Sequence, residues 1–579
     1  MDKIKIVHEL TELADILEIA GANPHRVRAF RNGARSLDTW QGDLIALSKA
    51  GEVTSIRGIG KALAAIIDDL IANADSEEAQ QIRAEVPQSL LELLRIPGVG
   101  PKKVRAIWEG LGITQLSELE EAAQEEKVRG LKGFGPKSEA EILAGIAQLK
   151  KFSGRSLRPV AESVAARYLT SIKDVEGVTS MELAGSLRRM RGTIGDIDIL
   201  VATENCEAVR TAFLSAPGID RIEAEGNKKC RIMTEEGIGV DLRVVKPIEF
   251  PAALHYFTGS KEHNTRMRQL AKDRGWKLNE YGLWQDDETR VSVDEEADIF
   301  RALDLAPVPP ELREDLGELE SAAALDEFPT LVEEDHLRGV LHCHSTWSDG
   351  RHTLREMVEA ARARGWDYYG TADHSRTAAY AGGLSIDEVR QQRVEVDALN
   401  EEFSDITILH GIESDILPDG SLDYPDDVLA ELDYVVASVH ANFSLDRATQ
   451  TARIEKALRN PFTTVWGHPT GRLLLRRDPY ECDVNHLLTV AAAEGVIVEI
   501  NASPQRLDLD WRWGERIREL DIEVGIHPDA HSIAGLADVR FGIGSARKAG
   551  LSAERVVNTW PTERFLERLR ARRERAESR

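Results

Sequence analysis

The second half of the chain narrows the possible folds most. From residue 339 onward, strand-like apolar runs alternate with helix-length segments. GVLHCH, YYGTADH, ITILHGIE, DYVVASVH, TTVWGHP, GVIVEIN and IEVGIHPDAH follow one another, with helices expected near 353–364 and 386–403. Strands joined by helix-length crossovers pair in parallel, so this half predicts a parallel sheet or a β/α barrel. The same runs end on metal-ligand residue types. Eleven of the fifteen histidines lie between 336 and 531. His342 and His344 close the first run and Asp349 follows it. His374, Glu413, His440 and His468 close later ones, and Asp529 with His531 closes the last. Strand C-termini of a β/α barrel converge on one mouth, and His342 and His344, two apart, share a strand face. Imidazole with carboxylate suits Zn, Mn or Fe. A lone histidine is more often structural, but ligand types at successive strand ends are not an accident of composition. His336, His352, His410, His486 and His527 fall outside the pattern and read as structural, with His410 and His527 near enough to brace a ligand. Arg472 and Arg506 follow the last motifs and are candidates for substrate phosphate.

A second constellation lies in AGSLRRMRGTIGDIDILVA (184–202). In a strand, Asp196 and Asp198 fall on one face and Ile197, Ile199 and Val201 on the other. Carboxylates held side by side repel unless cations sit between them, and Mg²⁺ prefers such oxygen ligands together with phosphate. Asp241, in the strand-like GVDLRVV, offers a third. A solvated sheet edge is the plainer reading of an Asp-x-Asp strand; the apolar flanks and the Gly185-Ser186 turn weigh against it.

The first 150 residues read as helices and contain a repeat. SIRGIGKALAAII (55–67), RIPGVGPKKVRAI (95–107) and GLKGFGPKSEAEI (130–142) each carry two glycines before a helix. The pairs Gly58 and Gly60, Gly98 and Gly100, Gly133 and Gly135 permit a tight turn and close approach of backbone N–H groups to a ligand. The helix N-terminus behind each turn favours phosphate. Plain helix-to-helix turns are the alternative. Backbone amides matter here because the chain carries a net charge of −26, so bulk electrostatics cannot draw it to nucleic acid. No run of about 18 apolar residues predicts a membrane span. The N-terminus lacks a secretory core. The four cysteines form no CxxC pair, so a reducing cytoplasm is expected.

The three glycine repeats resemble helix-hairpin-helix motifs, which grip the DNA backbone without reading sequence. GSLRRMRGTIGDIDILV, VDLRVV and YFTGSKEHN (256–264) resemble family X DNA polymerases, over residues 1 to about 318. That resemblance implies Asp196 and Asp198 as ligands of two Mg²⁺ or Mn²⁺ ions, with Asp241 binding the catalytic ion and helping to take the primer 3′-hydroxyl proton. It implies Ser186 and Arg189 at the nucleotide's phosphates, Tyr256, Phe257 and Gly259 on its sugar side, Asn264 and Arg268 in the minor groove, and Gly195 as a further nucleotide-binding residue. Related enzymes with deoxyribose-phosphate lyase activity use a lysine; here Ile66 stands at that position and cannot form an imine, so lyase activity is not expected. His25, Arg26 and Arg31 remain candidate ligands for a 5′-phosphate. The histidine-rich half resembles the PHP (polymerase and histidinol phosphatase) domain, from about 337 to 575. This implies a distorted seven-stranded barrel with up to three Mn²⁺, Zn²⁺ or Fe²⁺ ions: one on His342, His344, Glu413 and Asp529, a second on Asp349, His374 and His531, a third on Glu413, His440 and His468.

The expected architecture is therefore multidomain: a helix-hairpin-helix domain (1–80), a fingers-like region with two further such motifs (81–150), an α+β nucleotidyltransferase palm (151–245), a thumb (246–318), an acidic Pro-containing linker (319–336) and a (β/α)7 PHP barrel (337–579). The combination resembles bacterial and archaeal PolX-PHP proteins. It implies a monomeric DNA-directed DNA polymerase that uses dNTPs on gapped or nicked DNA, with a 3′-to-5′ exonuclease in the barrel and, by extension, cleavage at abasic sites or removal of 3′-phosphates. Two alternatives stay open: a polymerase whose barrel is a small-molecule phosphoesterase, and a non-enzymatic DNA-end scaffold.

Overall fold

The three Gly-x-Gly repeats fold alike. The first glycine of each, Gly58, Gly98 and Gly133, takes a φ of +89°, +76° and +89°, which an L side chain rarely adopts. The apolar residue between the glycines closes a turn: the N–H groups of Ile59, Val99 and Phe134 donate to Ile56, Ile96 and Leu131 at 3.0–3.1 Å. Ile59 and Val99 are thereby driven into the core. The second glycine precedes the helices Lys61–Asn73, Pro101–Leu111 and Pro136–Phe152. A Cβ on Gly60, Gly98, Gly100, Gly133 or Gly135 would meet nothing within 4 Å, so the backbone of these turns is open on its outer side. These helices share a core with Lys3–Ala20 and Pro24–Thr39, built from Leu10, Leu13, Leu17, Ile67 and Ile107. Ile66 belongs to it, 2% exposed. Arg26 is paired with Glu78 and Arg31 with Asp15 and Glu18, so two of the three candidate 5′-phosphate ligands are already neutralised.

This computed structural model describes residues 3–40, 44–73, 75–285 and 288–577. The helical region is one unit, Met1–Ser153, and Gly154–Arg579 is the other.

The second unit opens with a five-stranded sheet. Its strands are β1 (Val178–Leu183), β2 (Asp196–Thr203), β3 (Ile219–Glu225), β4 (Lys229–Thr234) and β5 (Gly239–Val245), in the order β1-β2-β5-β4-β3. Only β2 and β5 pair in parallel, with Asp198 opposite Asp241. The period of two along β2 sends Ile197, Ile199 and Val201 into a core with Tyr168 and Phe213, from the helices Arg158–Ile172 and Cys206–Leu214. The aspartates are left on the other face. Helices Phe250–Thr258, Lys261–Asp273 and Glu296–Ala302 pack next around Met267, Ile299 and Phe300. The stretch that reads as an acidic linker is packed along both its halves. Leu319 and Ala322, on the helix Glu318–Ala324, join the Phe300 core, and Val332 and Leu337 join the barrel core. Its few apolar side chains are spaced to reach a core on each side, a signal hidden by the surrounding acids and prolines.

The last region is a seven-stranded all-parallel sheet in sequential order: β6 (Gly339–Cys343), β7 (Tyr368–Thr371), β8 (Thr407–Asp415), β9 (Tyr434–Ser438), β10 (Val465–Trp466), β11 (Ile497–Asn501) and β12 (Val524–His527). Bridging of Cys343 with Ala530 and donation by Leu341 N–H to His527 Nδ1 at 3.1 Å draw the edges together into a nearly closed barrel. The sequence marks its helix starts: Thr353 with Glu356 and Ser385 with Glu388 form capping boxes for Leu354–Ala363 and Ile386–Glu402. Inside, Leu341, Tyr368, Tyr434, Val436, Val465 and Ile497 make a core. Phe565, from the last helix, stacks on Tyr368 with ring centroids 4.8 Å apart and plugs the N-terminal end of the strands. Each such buried aromatic contributes roughly 2–3 kcal/mol. A filled lower barrel leaves only the C-terminal mouth for chemistry. Contacts also join the five-stranded-sheet region to the barrel: Glu162 accepts from both Arg158 (2.6 Å) and Arg540 (2.7 Å). Lys548, its side chain fully buried, donates to the Glu311 carbonyl at 3.0 Å and pairs with Glu314. No helix among the described residues is long and apolar enough to cross a membrane.

Candidate active sites

The first site lies on the open face of the five-stranded sheet. Asp198 and Asp241 face each other across the parallel pair, and Asp196 lies two residues ahead on β2. Asp241 is 5% exposed and its Oδ1 has no hydrogen-bond partner among the described residues. Burial, then the neighbouring charges of Asp196 and Asp241, push the Asp198 carboxyl up to about 7. Three carboxylates brought this close, with the Asp198 carboxyl pushed up, offer oxygen donors to a hard divalent cation. The local turn explains the crowding. Gly185 has a φ of +61°, and a Cβ on it would stand 2.1 Å from Asp198 Oδ2, so a glycine is required there on both counts. Ala184 N–H donates to the Asp198 carbonyl at 2.9 Å and fixes that approach.

Around the carboxylates, Ser186 sits half-buried in the short helix Gly185–Arg188, and Gly195 immediately precedes β2. Arg189 is held between Glu314 (Nε to Oε1, 3.1 Å) and the Thr258 carbonyl (2.5 Å). Gly259 ends the helix Phe250–Thr258 at φ +72°, where a Cβ would lie 3.0 Å from Arg189 Nη1. Tyr256 and Phe257 meet edge to face at 5.2 Å, with the Arg243 guanidinium 5.0 Å from the Phe257 ring. Asn264 is 8% exposed and donates to the Tyr256 carbonyl at 2.6 Å, so it braces that turn, whereas Arg268 is exposed. Two cations escaped the sequence reading. Arg231 on β4 is the register partner of Asp241, pairs with it and comes within 3.7 Å of Asp196; Lys229 lies 3.6 Å from Asp241. Only the strand order β2-β5-β4 brings them there, and sequence spacing does not encode it.

The second site fills the barrel mouth. Glu413 on β8 is 1% exposed and central. His342 Nε2 and His440 Nε2 lie 3.2 Å from its Oε1 and His468 Nε2 lies 2.9 Å away, while His374 Nδ1 is 3.0 Å from Oε2. His344 Nε2 is 3.2 Å from Asp529 Oδ1, and His531 Nε2 is 3.3 Å from Asp349 Oδ1. All nine residues expected from the strand ends lie in this mouth, in four overlapping groups with ligand atoms within 4.8 Å of one another: His344, Asp349, His374 and His531; His342, His344 and Asp529; His342, Glu413 and His468; His374, Glu413 and His440. These groups overlap the expected sets: His344 also lies near Asp349 and His468 near His342, while His440 and His468 share Glu413 Oε1, because the mouth is a ring of strands and each side chain faces two neighbours.

Electrostatics and strain mark the same residues. Burial opposes charge on Glu413, yet His440, His342 and His374 hold its carboxyl well below the usual range. Burial opposes charge on His440 too, but Glu413 and Asp415 push it up to about 9. Burial, with His531 and His374 nearby, lowers His344 to about 4. His342, His468 and Asp529 have positive φ values of 57°, 22° and 52°, and strain of this kind collects at functional sites. Buried nitrogens of His342 (Nε2), His344 (both), His374 (Nδ1) and His468 (Nδ1) have no hydrogen-bond partner among the described residues, which fits imidazoles that await a cation.

The residues that orient these rings were missed from sequence. Glu499 on β11, fully buried, binds His342 Nδ1 at 2.6 Å and accepts from Asn501 Nδ2 at 3.2 Å; Asn501 also donates to Asp529 at 3.1 Å. Asp415 binds His440 Nδ1 at 2.5 Å. Both carboxylates leave Nε2 to face Glu413, the usual arrangement behind a metal-ligating histidine. The strand run GVIVEIN carries no ligand histidine, so nothing in its spacing marks Glu499. His410 binds Gln392 at 3.0 Å and His527 accepts from backbone, so neither braces a ligand directly. Arg472 is not available to substrate. It is 9% exposed and staples its loop, bonding Asp510 and the Arg506 and Leu507 carbonyls. Arg506 is 3.3 Å from Asp529 and 20% exposed.

A carboxylate triad on a mixed five-stranded sheet and a histidine-rich β/α barrel on one chain define a class of protein with two separate clusters of metal-ligand residue types. The comparisons name it more closely. Residues 1–75 match the helix-hairpin-helix domain, 90–148 the SAM-like helix-hairpin-helix tandem, 253–314 the DNA polymerase beta thumb and 340–503 the PHP domain. The DNA polymerase/3′-5′ exonuclease PolX of Bacillus subtilis is 38% identical over 561 residues, 96% of this chain and 97% of that one. DNA polymerase lambda of Rattus norvegicus is 27% identical over 41% of this chain and 42% of its own. A probable phosphatase of Thermoanaerobacter sp. is 28% identical over 28% of this chain and 67% of its own. The chain belongs to the PolX family.

Two predictions follow from the site geometry. Without divalent cations, the folded protein keeps a proton on Asp198 to higher pH than the unfolded chain does, so this group's contribution to stability is present at low pH and is lost as pH rises through about 7. In EDTA, Asp198→Asn is expected to melt a few degrees above the parent at pH 8 and level with it near pH 4; equal melting temperatures at pH 8 contradict the burial argument. Glu499→Gln is expected to weaken Mn²⁺ binding at the mouth about 10- to 100-fold by calorimetric titration, because His342 loses its orienting partner. Unchanged affinity removes Glu499 from the site.

Proposed function

We propose that this chain is a DNA-directed DNA polymerase that fills short gaps during repair and carries a metal-dependent 3′-to-5′ exonuclease in its barrel. One observation carries the reading: a carboxylate triad and a Glu413-centred histidine cluster lie on one chain whose nearly full-length relative is a polymerase with that exonuclease. Asp196, Asp198 and Asp241 would hold Mg²⁺ or Mn²⁺, and the nine mouth residues would hold up to three Mn²⁺, Zn²⁺ or Fe²⁺ ions. When bound, such ions neutralise phosphate charge during displacement. The protein's own groups do the rest. The Asp241 carboxylate, next to the primer end, helps take the 3′-hydroxyl proton. Arg189, with Ser186 and Gly195, meets the triphosphate, the guanidinium supplying charge-assisted bonds where negative charge develops. Tyr256, Phe257 and Gly259 line the sugar side, and Arg268 with Asn264 borders the new pair. The turns open at Gly60, Gly98 and Gly133 offer backbone N–H groups to DNA phosphates, which suits a chain with a net charge of −26. At the mouth, Arg506 meets the scissile phosphate. Buried Ile66 supplies no lyase amine.

A second reading keeps the polymerase but makes the barrel a phosphoesterase for small molecules, favoured by the relatives described as probable phosphatases. A 5′-labelled primer on one-nucleotide-gapped DNA, with Mn²⁺ or Mg²⁺ and with or without dNTPs, separates the two. Extension is expected to vanish in Asp196→Ala/Asp198→Ala only, and shortening in His342→Ala/His344→Ala only. Shortening that persists in the histidine variant, or never occurs in the parent, removes the nuclease from the barrel and leaves the second reading.

A further inference from the structure

Tyr380 has the most exposed large hydrophobic side chain among the described residues, 74% accessible. A solitary exposed aromatic needs no explanation by itself. Its setting does. The ring centroid lies 6.3 Å from that of His374, at the rim of the barrel mouth. The backbone that presents it is anchored on every side. The 3-10 turn Ala379–Ala381 is flanked by the buried Ala378 and includes the buried Ala381. Ala378 N–H donates to the Ser375 carbonyl at 3.0 Å, and Leu384 N–H to the His374 carbonyl at 2.9 Å. Gly383 passes so close to Ser375 that a Cβ would lie 1.9 Å from its carbonyl oxygen. The turn is thus built against the strand end that carries His374, and it holds a flat apolar face in solvent beside a polar, charged mouth. Inorganic phosphate gains nothing from such a face. A nucleobase does, since each base has a π-face that stacks on an aromatic ring whatever the sequence.

We infer that Tyr380 stacks on the base of the 3′-terminal nucleotide and seats the last phosphodiester over the histidine cluster. It is a positioning residue for the nuclease, giving preference for ends that carry a base and no preference among the four bases. This rests on the exonuclease reading above. The test uses the full chain with Mn²⁺ and two 5′-labelled single strands of one sequence, ending in thymidine or in a baseless tetrahydrofuran residue. For the parent, kcat/KM is expected to be about tenfold higher on the base-bearing end. Tyr380→Ala is expected to lose about that factor, mainly in KM, on the base-bearing strand and to match the parent on the baseless one; Tyr380→Phe is expected to behave as the parent. Mn²⁺ bound per chain, measured alongside, is expected to be equal in all three proteins. The inference is overturned if Tyr380→Ala slows both strands alike, slows neither, or binds less Mn²⁺, or if Tyr380→Phe is as impaired as Tyr380→Ala. A parent that shortens neither strand overturns the exonuclease reading itself, and this inference with it.

Discussion

A carboxylate buried among imidazoles is the constraint on which the barrel half depends. Glu413 is 1% exposed and has four histidine nitrogens within about 3 Å. An isolated buried charge is costly, so the mouth is arranged to compensate it. Histidines arrive from β6 and from just past the ends of β7, β9 and β10, and Glu499 and Asp415 fix which nitrogen each of two rings turns inward. The filled lower barrel beneath them, plugged by Phe565, supplies the rigidity that keeps the rings a few ångströms apart.

The same logic recurs in smaller form on the five-stranded sheet. There Asp198 is crowded by two carboxylates and by the Gly185 turn, and Arg231 and Lys229 offset the charge from the neighbouring strand. The two sites belong to one unit, and charged contacts join their surroundings. Glu314 binds Arg189 and Arg191 on the polymerase side and Lys548 on the barrel side, while Arg191 and Lys548 flank the Trp511 ring at 5.5 and 4.4 Å.

Much of this was legible in the sequence, for identifiable reasons. Parallel β/α alternation with ligand types at strand ends forces those residues to one mouth, so their convergence could be read from order alone. The period of two along DIDILV placed Asp196 and Asp198 opposite the core. What depends on lateral neighbours could not be read. Arg231 reaches Asp241 only through the β5-β4 register, and Glu499 reaches His342 only because closure of the barrel brings β11 next but one to β6, beyond β12. The division of nine side chains into groups depends on the ring closing, which spacing does not reveal. Arg472 and Arg506 look alike in sequence, yet one is bound into its loop and the other borders the mouth. Residues 319–336 read as a linker because acids and prolines outnumber Leu319, Ala322 and Val332, the side chains that pack it down.

The most direct test of the central claim is anomalous X-ray diffraction from crystals of the full chain grown with Mn²⁺. The account predicts more than one anomalous peak at the barrel mouth, each within bonding distance of imidazole nitrogens, with a Glu413 oxygen on at least one of them. A mouth without anomalous density, in which the histidines simply hydrogen-bond Glu413 and Asp529, would contradict it.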